Sequence, residues 1–289
     1  MKILITGANG FLGKNVYNKL SERYEIKGTY NRYKSKDLVK LDLSDSKSIL
    51  ELLNSYNPDV IVHTAAITDL NQCEKQPYIA KIVNTNSTNT IAKWCKDKNT
   101  KLIYLSTDYV FDGENGPYRE KSETGPLQIY GYTKLMSEIL IENRGINYAI
   151  VRIGILHGFN DRFDKNTVTM QVINGLKNEQ EIVLDDGRIK YPTLIDDVSS
   201  AIEKIIEDDL IGTFHVASQE PVTRYEWGLR ISRVFGFNES LIIPDKKLDK
   251  MSFPARPKDI KLLDTMVGFK IRCLDDSLEY LKYQLLRGD

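Results

Sequence analysis

Residues 2–20 constrain the fold more than any other stretch. Lys2-Ile3-Leu4-Ile5-Thr6 is a short apolar run, Gly7-Ala8-Asn9-Gly10-Phe11-Leu12-Gly13 follows at once, and Val16, Tyr17 and Leu20 then recur at helical spacing. Strand, glycine loop and helix in direct succession predict the start of a parallel α/β sheet. Glycines in such a loop allow a tight turn and close backbone approach to a pyrophosphate, whose charge is favoured at a helix N-terminus. Gly7, Gly10, Phe11, Leu12 and Gly13 are therefore candidates for cofactor binding. The triplet alone also fits a purely structural turn.

The alternation continues. A second strand, Glu25 to Tyr30, runs into Asn31 and Arg32. No acid stands where one would bind a ribose 2′-hydroxyl, and an Arg there suits a 2′-phosphate, so NADP(H) is expected, with NAD(H) as the alternative. With Lys34 and Lys36, Arg32 also fits a solvated loop. Leu38 to Leu41 predict a third strand, with Asp42 and Leu43 at its end in reach of an adenine. Ser44 is the expected N-cap of a helix carrying Ile49, Leu50, Leu52 and Leu53. Strand four, Asp59 to His63, leads into Thr64-Ala65-Ala66, where the small Ala65 and Ala66 would admit the cofactor ribose. His63 reads as a packed strand residue. A long helical stretch from Ile79 to Trp94 contains Asn84 and Asn86, and one of these side chains, Asn84 foremost, is expected to bond locally and kink the helix near the reacting groups. Lys101 to Ser106 predict strand five.

Composition narrows the function. The 289-residue chain is 41% hydrophobic and formally uncharged at neutral pH, so it can bury a sizeable core and carries neither a nucleic-acid nor a membrane-surface footprint. Cys73, Cys95 and Cys273 are odd in number and far apart, which predicts free thiols, and no metal-ligand spacing occurs. The first strand begins at Lys2 and no apolar run is long enough for a bilayer, so a cytoplasmic location is expected.

The chemistry gathers between residues 104 and 134. Strand five ends in Ser106, Thr107 and Asp108, and Tyr130 and Lys134, four apart, open a helix and share one face. A phenol would donate the proton, an ammonium would stand beside it and favour its ionised form, and Thr107 would fix a carbonyl oxygen as it gains charge. A bound nicotinamide would provide the hydride. Tyr130 and Lys134 alone could be an ordinary exposed helix start; the glycine loop and the Ser-Thr strand end favour catalysis.

These motifs resemble those of extended short-chain dehydrogenases/reductases. More specifically, Ser106-Thr107-Asp108-Tyr109-Val110-Phe111-Asp112-Gly113 resembles the signature of the dTDP-4-dehydrorhamnose reductase family, with further similarity at His63 to Thr68, Cys73-Glu74, Val83-Asn84 and Tyr130 to Lys134. The resemblance implies Thr107, Tyr130 and Lys134 as catalytic residues and Asp108 and Tyr109 as lining a sugar pocket. It implies reduction of the 4-keto group of a nucleotide-linked 4-keto-6-deoxysugar, with NADPH and dTDP-4-dehydro-L-rhamnose foremost. Tyr109 stands where the related dehydratases carry Glu, which disfavours water elimination. Asp108 stands where fucose synthases use a Cys. Similar reductases include homodimers and Mg²⁺-dependent enzymes, although no residue pattern here indicates the metal. The regulatory β subunit of methionine adenosyltransferase resembles the same family, so a non-catalytic NADP-binding role is the second expectation.

The remainder predicts a smaller lobe. Ile146 to Arg152 read as strand six, followed by His157, a polar stretch at Asp161 to Lys165, a helix near Thr167 to Leu176, a strand at Ile182 to Leu184 and a turn at Asp185 to Arg188. Gly212 to Val216 return as a strand of the nucleotide lobe. Ala255 to Leu262 resembles the family's Arg-Pro segment, with Ile260 where Ser is common, and Arg256 is the candidate for the sugar-nucleotide diphosphate because a guanidinium binds phosphate bidentately. The expected architecture is a Rossmann-type doubly wound parallel sheet. Residues 1–152 and 190–217 would bind NADP(H), and 153–189 with 218–289 would form a smaller, mostly C-terminal substrate-binding lobe.

Overall fold

The structure is a computed structural model that describes residues 1–159, 167–247, 253–263 and 269–287. The polar stretch at Asp161 to Lys165 lies outside them. In chain order the elements are β1 (Lys2–Thr6), α1 (Phe11–Ser21), β2 (Glu25–Tyr30), β3 (Leu38–Lys40), α2 (Ser46–Tyr56), β4 (Val60–His63), α3 (Leu70–Lys75), α4 (Pro77–Ala80) and α5 (Ser87–Lys98). There follow β5 (Lys101–Thr107), α6 (Ile129–Glu142), β6 (Tyr148–Ile153), β7 (Leu156–His157), α7 (Val168–Lys177), β8 (Ile182–Asp185) and β9 (Thr193–Leu194). The last are α8 (Ile195–Glu207), β10 (Gly212–Val216), α9 (Arg224–Phe235), β11 (Ile242–Asp245) and α10 (Leu274–Arg287).

The seven-stranded sheet has the order β10-β6-β5-β4-β1-β2-β3, with β1 pairing parallel to both β2 and β4. Strand order reverses between β1 and β4, and open α/β sheets bind ligands outside the carboxyl ends of strands at such a point. This is the doubly wound Rossmann-type arrangement that the strand and helix alternation predicts.

The chain divides into two compact units. The first comprises Met1–Asp112, Glu123–Arg152 and Ser199–Phe214; the second comprises Gly113–Ser122, Ile153–Val198 and His215–Asp289. In the first, Leu4, Ile49, Leu53, Ile61, Ile91, Leu102, Tyr104 and Ile150 belong to one buried cluster. In the second, Val172, Leu176, Leu184, Trp227, Ile231, Leu274 and Leu278 belong to another. Local chemistry sets the element ends. Asp45, not Ser44, caps α2, its carboxylate accepting from Lys47 N at 3.0 Å. Ser44 instead donates to Asp42 Oδ1 through both its amide and its hydroxyl, because Asp42 closes a turn that leaves the cap to the next acid. Thr223 and Glu226 form a reciprocal capping box on α9.

Candidate active site

The first unit builds its site at the carboxyl ends of β1, β4 and β5. Gly7 sits at φ +69°, where a side chain would be strained, and a Cβ placed on Gly13 would lie 2.1 Å from Gly7 O and 2.8 Å from Thr64 Oγ1. The loop therefore packs on the helix start with no space for larger residues. Helix α1 begins at Gly10 with no side-chain cap and no acid in its first turn, so its leading amides remain suited to an anion. Asn9 Nδ2 donates to Tyr33 O at 2.8 Å, tying this loop to the one that carries Arg32, which is exposed. Asp42 is exposed, whereas the Leu43 side chain is buried in the core cluster. Ala65 and Ala66 are half-buried after β4, and the Cα and Cβ of Ala65 lie 3.0 Å from where a Gly7 Cβ would stand. This glycine cradle and uncapped helix start fit a dinucleotide pyrophosphate.

Strand β5 ends at Thr107, whose hydroxyl donates to Asp108 Oδ1 at 3.0 Å and accepts from Tyr109 N at 3.2 Å. The neighbouring Ser106 hydroxyl is buried without a partner among the described residues. The Thr107 hydroxyl acts on the Tyr130 phenol, and the Tyr109 and Tyr130 rings meet edge to face at 6.4 Å. Burial, followed by the Asp108 carboxylate, pushes the Tyr130 phenol well above its ordinary range, with the Thr107 hydroxyl pulling the other way. Desolvation outweighs what favours ionisation, and the phenol stays protonated at neutral pH. Lys134 is buried, with Nζ 4.0 Å above the Tyr104 ring centroid. Burial brings its pKa down to about 7, and the Glu138 carboxylate opposes that shift. Thr107, Tyr130 and Lys134 are thereby brought into one neighbourhood of one unit.

The way α6 is held was not legible from motif spacing. A Cβ on Gly131 would fall 2.1 Å from Tyr109 O, so the missing side chain lets α6 meet the turn after β5. Glu74 of α3 accepts from Ile129 N at 2.8 Å and caps the helix from outside. Asn84 lies buried in a π-helical turn at Lys81–Asn86. Its amide accepts from Ile67 N at 2.8 Å and donates to Ile67 O at 3.0 Å and Thr133 Oγ1 at 3.1 Å. The expected helix distortion is present as this π turn, but the Asn84 side chain bonds across to Ile67 and Thr133 rather than locally. Glu138 and Arg152 form a buried ion pair one turn beyond Lys134.

His63 is fully occupied, its Nδ1 at 2.7 Å from Thr6 Oγ1 and its Nε2 at 3.1 Å from Thr88 Oγ1, and burial brings it down to about 3. Arg256 belongs to the second unit, half-buried, with a buried Nε that no described group bonds. In that unit Tyr118 N donates to Lys261 O at 2.8 Å and Leu263 N to Tyr118 O at 2.9 Å, anchoring the segment that carries Arg256. Ile260 there is a buried packing residue. His157 is also buried, against Trp227 and Ser277. Among the described residues no His, Cys, Asp or Glu group could hold a metal ion, and no helix is long and apolar enough to cross a membrane.

The family described as RmlD substrate binding domain matches residues 1–272. A dTDP-4-dehydrorhamnose reductase from Bacillus anthracis, solved in complex with NADP, is 28% identical and superposes with a TM-score of 0.87 over 98% of this chain and 99% of its own. A probable low-salt glycan biosynthesis reductase, Agl14, of Haloferax volcanii is 31% identical over 98% of this chain and 97% of its own length. The methionine adenosyltransferase 2 subunit beta of Rattus norvegicus is 31% identical over 84% of this chain and 75% of its length. With its fold, its glycine cradle and its matched length, the chain belongs to the RmlD substrate binding domain family, whose solved relatives include dTDP-4-dehydrorhamnose reductases.

Proposed function

We propose that this protein reduces the 4-keto group of a nucleotide-linked 4-keto-6-deoxysugar, with dTDP-4-dehydro-L-rhamnose as the foremost substrate and NADPH preferred over NADH. The observation that carries this reading is the convergence of Thr107, Tyr130 and Lys134 at the end of β5, Tyr130 being held as a neutral phenol. NADPH, when bound, supplies the hydride. Thr107 turns its hydroxyl from Asp108 to the substrate carbonyl oxygen as that atom gains charge. Tyr130 donates the proton that completes the new hydroxyl. Lys134 stabilises the phenolate left behind and orients the nicotinamide ribose.

Gly7, Gly10, Phe11, Leu12 and Gly13 serve the pyrophosphate, Arg32 the 2′-phosphate, Asp42 and Leu43 the adenine side, and Ala65 and Ala66 the ribose. Asn84 acts by fixing the Ile67 backbone and α6. Asp108 and Tyr109 face the sugar, and Arg256 serves the diphosphate. In this reading residues 1–152 and 190–217 hold the cofactor and the remainder holds the substrate.

The test is NADPH oxidation by the purified protein with enzymatically generated dTDP-4-dehydro-L-rhamnose. Tyr130→Phe should lose roughly 10²–10⁴ in kcat while still binding NADPH, the range expected for a lost proton donor. Near-normal turnover by that variant would overturn the mechanism. The similarity to methionine adenosyltransferase subunits supports a second reading, a non-catalytic NADP-binding subunit. Absence of turnover on a panel of nucleotide-linked keto-sugars, together with binding to a methionine adenosyltransferase catalytic chain, would favour it.

A further inference from the structure

Helix α6 carries an acid on the face that bears Lys134. Glu138 stands one turn further on and is 1% exposed, while Arg152 of β6 is 4% exposed. Their contact is forked: Arg152 Nε lies 3.1 and 3.2 Å from the two Glu138 oxygens, and Nη2 lies 2.7 Å from Oε2. The guanidinium also lies against the Phe111 ring, 5.1 Å from its centroid. Two fully desolvated charges are a costly way to join a helix to a strand, and an apolar pair of similar volume is often at least as stable. Their position beside the buried amine suggests another role.

We propose that Glu138 is a positioning residue that keeps the Lys134 amine protonated, and that Arg152 fixes the Glu138 carboxylate and limits its pull. The proposal rests on the reductase reading only for its kinetic arm. The surroundings of Lys134 narrow the source of its charge balance. From β5, Tyr104 offers a ring face and is held neutral by burial; from β4, His63 is neutral for the same reason; on α6, Tyr130 is a neutral phenol. The π turn and α5 present Asn84, Thr85 and Thr88, all uncharged. Of the acids near the helix start, Asp108 accepts from Thr107 and acts on Tyr130, and Glu74 is occupied at Ile129 N. Cys73 of α3 is held as a thiol by burial. Glu138 is thus the carboxylate whose field bears on the Lys134 amine, and it opposes the loss of the proton that burial favours.

Opposite signs follow for the two halves of the pair. In Glu138→Gln the favourable charge is lost and Arg152 stands unpaired, so Lys134 should titrate lower. In Arg152→Met the carboxylate is no longer offset, so Lys134 should titrate higher. The experiment is a pH titration of full-length protein labelled with ¹³C at lysine Cε, the Lys134 signal being assigned by its loss in Lys134→Met. This readout needs neither cofactor nor turnover. Its kinetic companion is the pH profile of kcat/KM for the keto-sugar, whose basic limb should move to lower pH in Glu138→Gln and to higher pH in Arg152→Met. The double variant Glu138→Gln/Arg152→Met, which leaves no unpaired charge, keeps the test available should a single variant fail to fold; its Lys134 should titrate below the wild type. Unchanged Lys134 titration in the folded variants, or shifts of the same sign in both single variants, would overturn the proposal. Opposite shifts in the amine titration without turnover on any keto-sugar would uphold it and remove the reductase reading instead.

Discussion

Lys134 is placed where a lysine is least comfortable. Its ammonium is buried over the Tyr104 ring, and burial brings its pKa to about 7 against an unfolded value near ~10.4. Between those two values the unfolded chain holds a proton that the folded chain lacks, so stability rises with pH across that window and the penalty is largest below about pH 7. Lys134→Met should therefore raise the unfolding free energy at pH 7 by on the order of 3 kcal/mol. The margin should narrow as pH approaches 10. Denaturant titrations at pH 7 and pH 9.5 check both statements; a variant no more stable than the wild type at pH 7, or a margin that widens with pH, contradicts them. The Tyr130 to Lys134 spacing was legible in the sequence because it is local. The protonation states were not, because they depend on desolvation and on Asp108 and Glu138, whose placement only the packed structure supplies.

The same division runs through the elements. The apolar run of β1 and the helical spacing of Val16, Tyr17 and Leu20 predicted β1 and α1 closely, since Ile3, Leu4 and Ile5 and then Val16 and Leu20 are buried. A π turn leaves no such signature, as it adds one residue to a helical pattern without changing residue types. Asn84 marked the place only as a polar residue inside a helical run. The docking of α6 was also hidden, because Gly131 reads as a weak helix residue until Tyr109 O is seen 2.1 Å from its missing Cβ. That carbonyl belongs to backbone and cannot yield as a flexible side chain would. Gly131→Ala should push α6 away from the turn after β5, costing about 1–3 kcal/mol as an overpacked contact. Because Tyr130 and Lys134 ride on the same helix, kcat should fall by roughly 10²-fold, the effect of a displacement near 1 Å. Equal stability and equal turnover in Gly131→Ala would show that this contact does not set the helix position.

For the whole molecule, chain continuity and structural continuity part company. The first unit includes Ser199–Phe214, which the chain reaches only after passing through much of the second. Helix α8 buries Ala201, Ile202, Ile205 and Ile206. Polar contacts join it to α1 and the turn after it: Ser199 Oγ donates to Asn15 Oδ1 at 2.5 Å, Lys19 Nζ lies 3.1 Å from Glu203 Oε2, and Arg23, just past the helix, pairs with Glu203 and Glu207. Exposed ion pairs of this kind contribute little, so the three isoleucines carry the attachment. At about 1.5–3 kcal/mol for each buried side chain, their loss removes roughly 5–9 kcal/mol, comparable to the whole stability of a typical domain. A fragment ending at residue 153 keeps β1 to β6 and the Thr107, Tyr130 and Lys134 group, yet lacks both α8 and the edge strand β10. It should show no cooperative thermal transition by circular dichroism and no protection by NADPH, whereas the full chain should show both. A cooperative transition in the fragment would mean that β1 to β6 close their own core without α8.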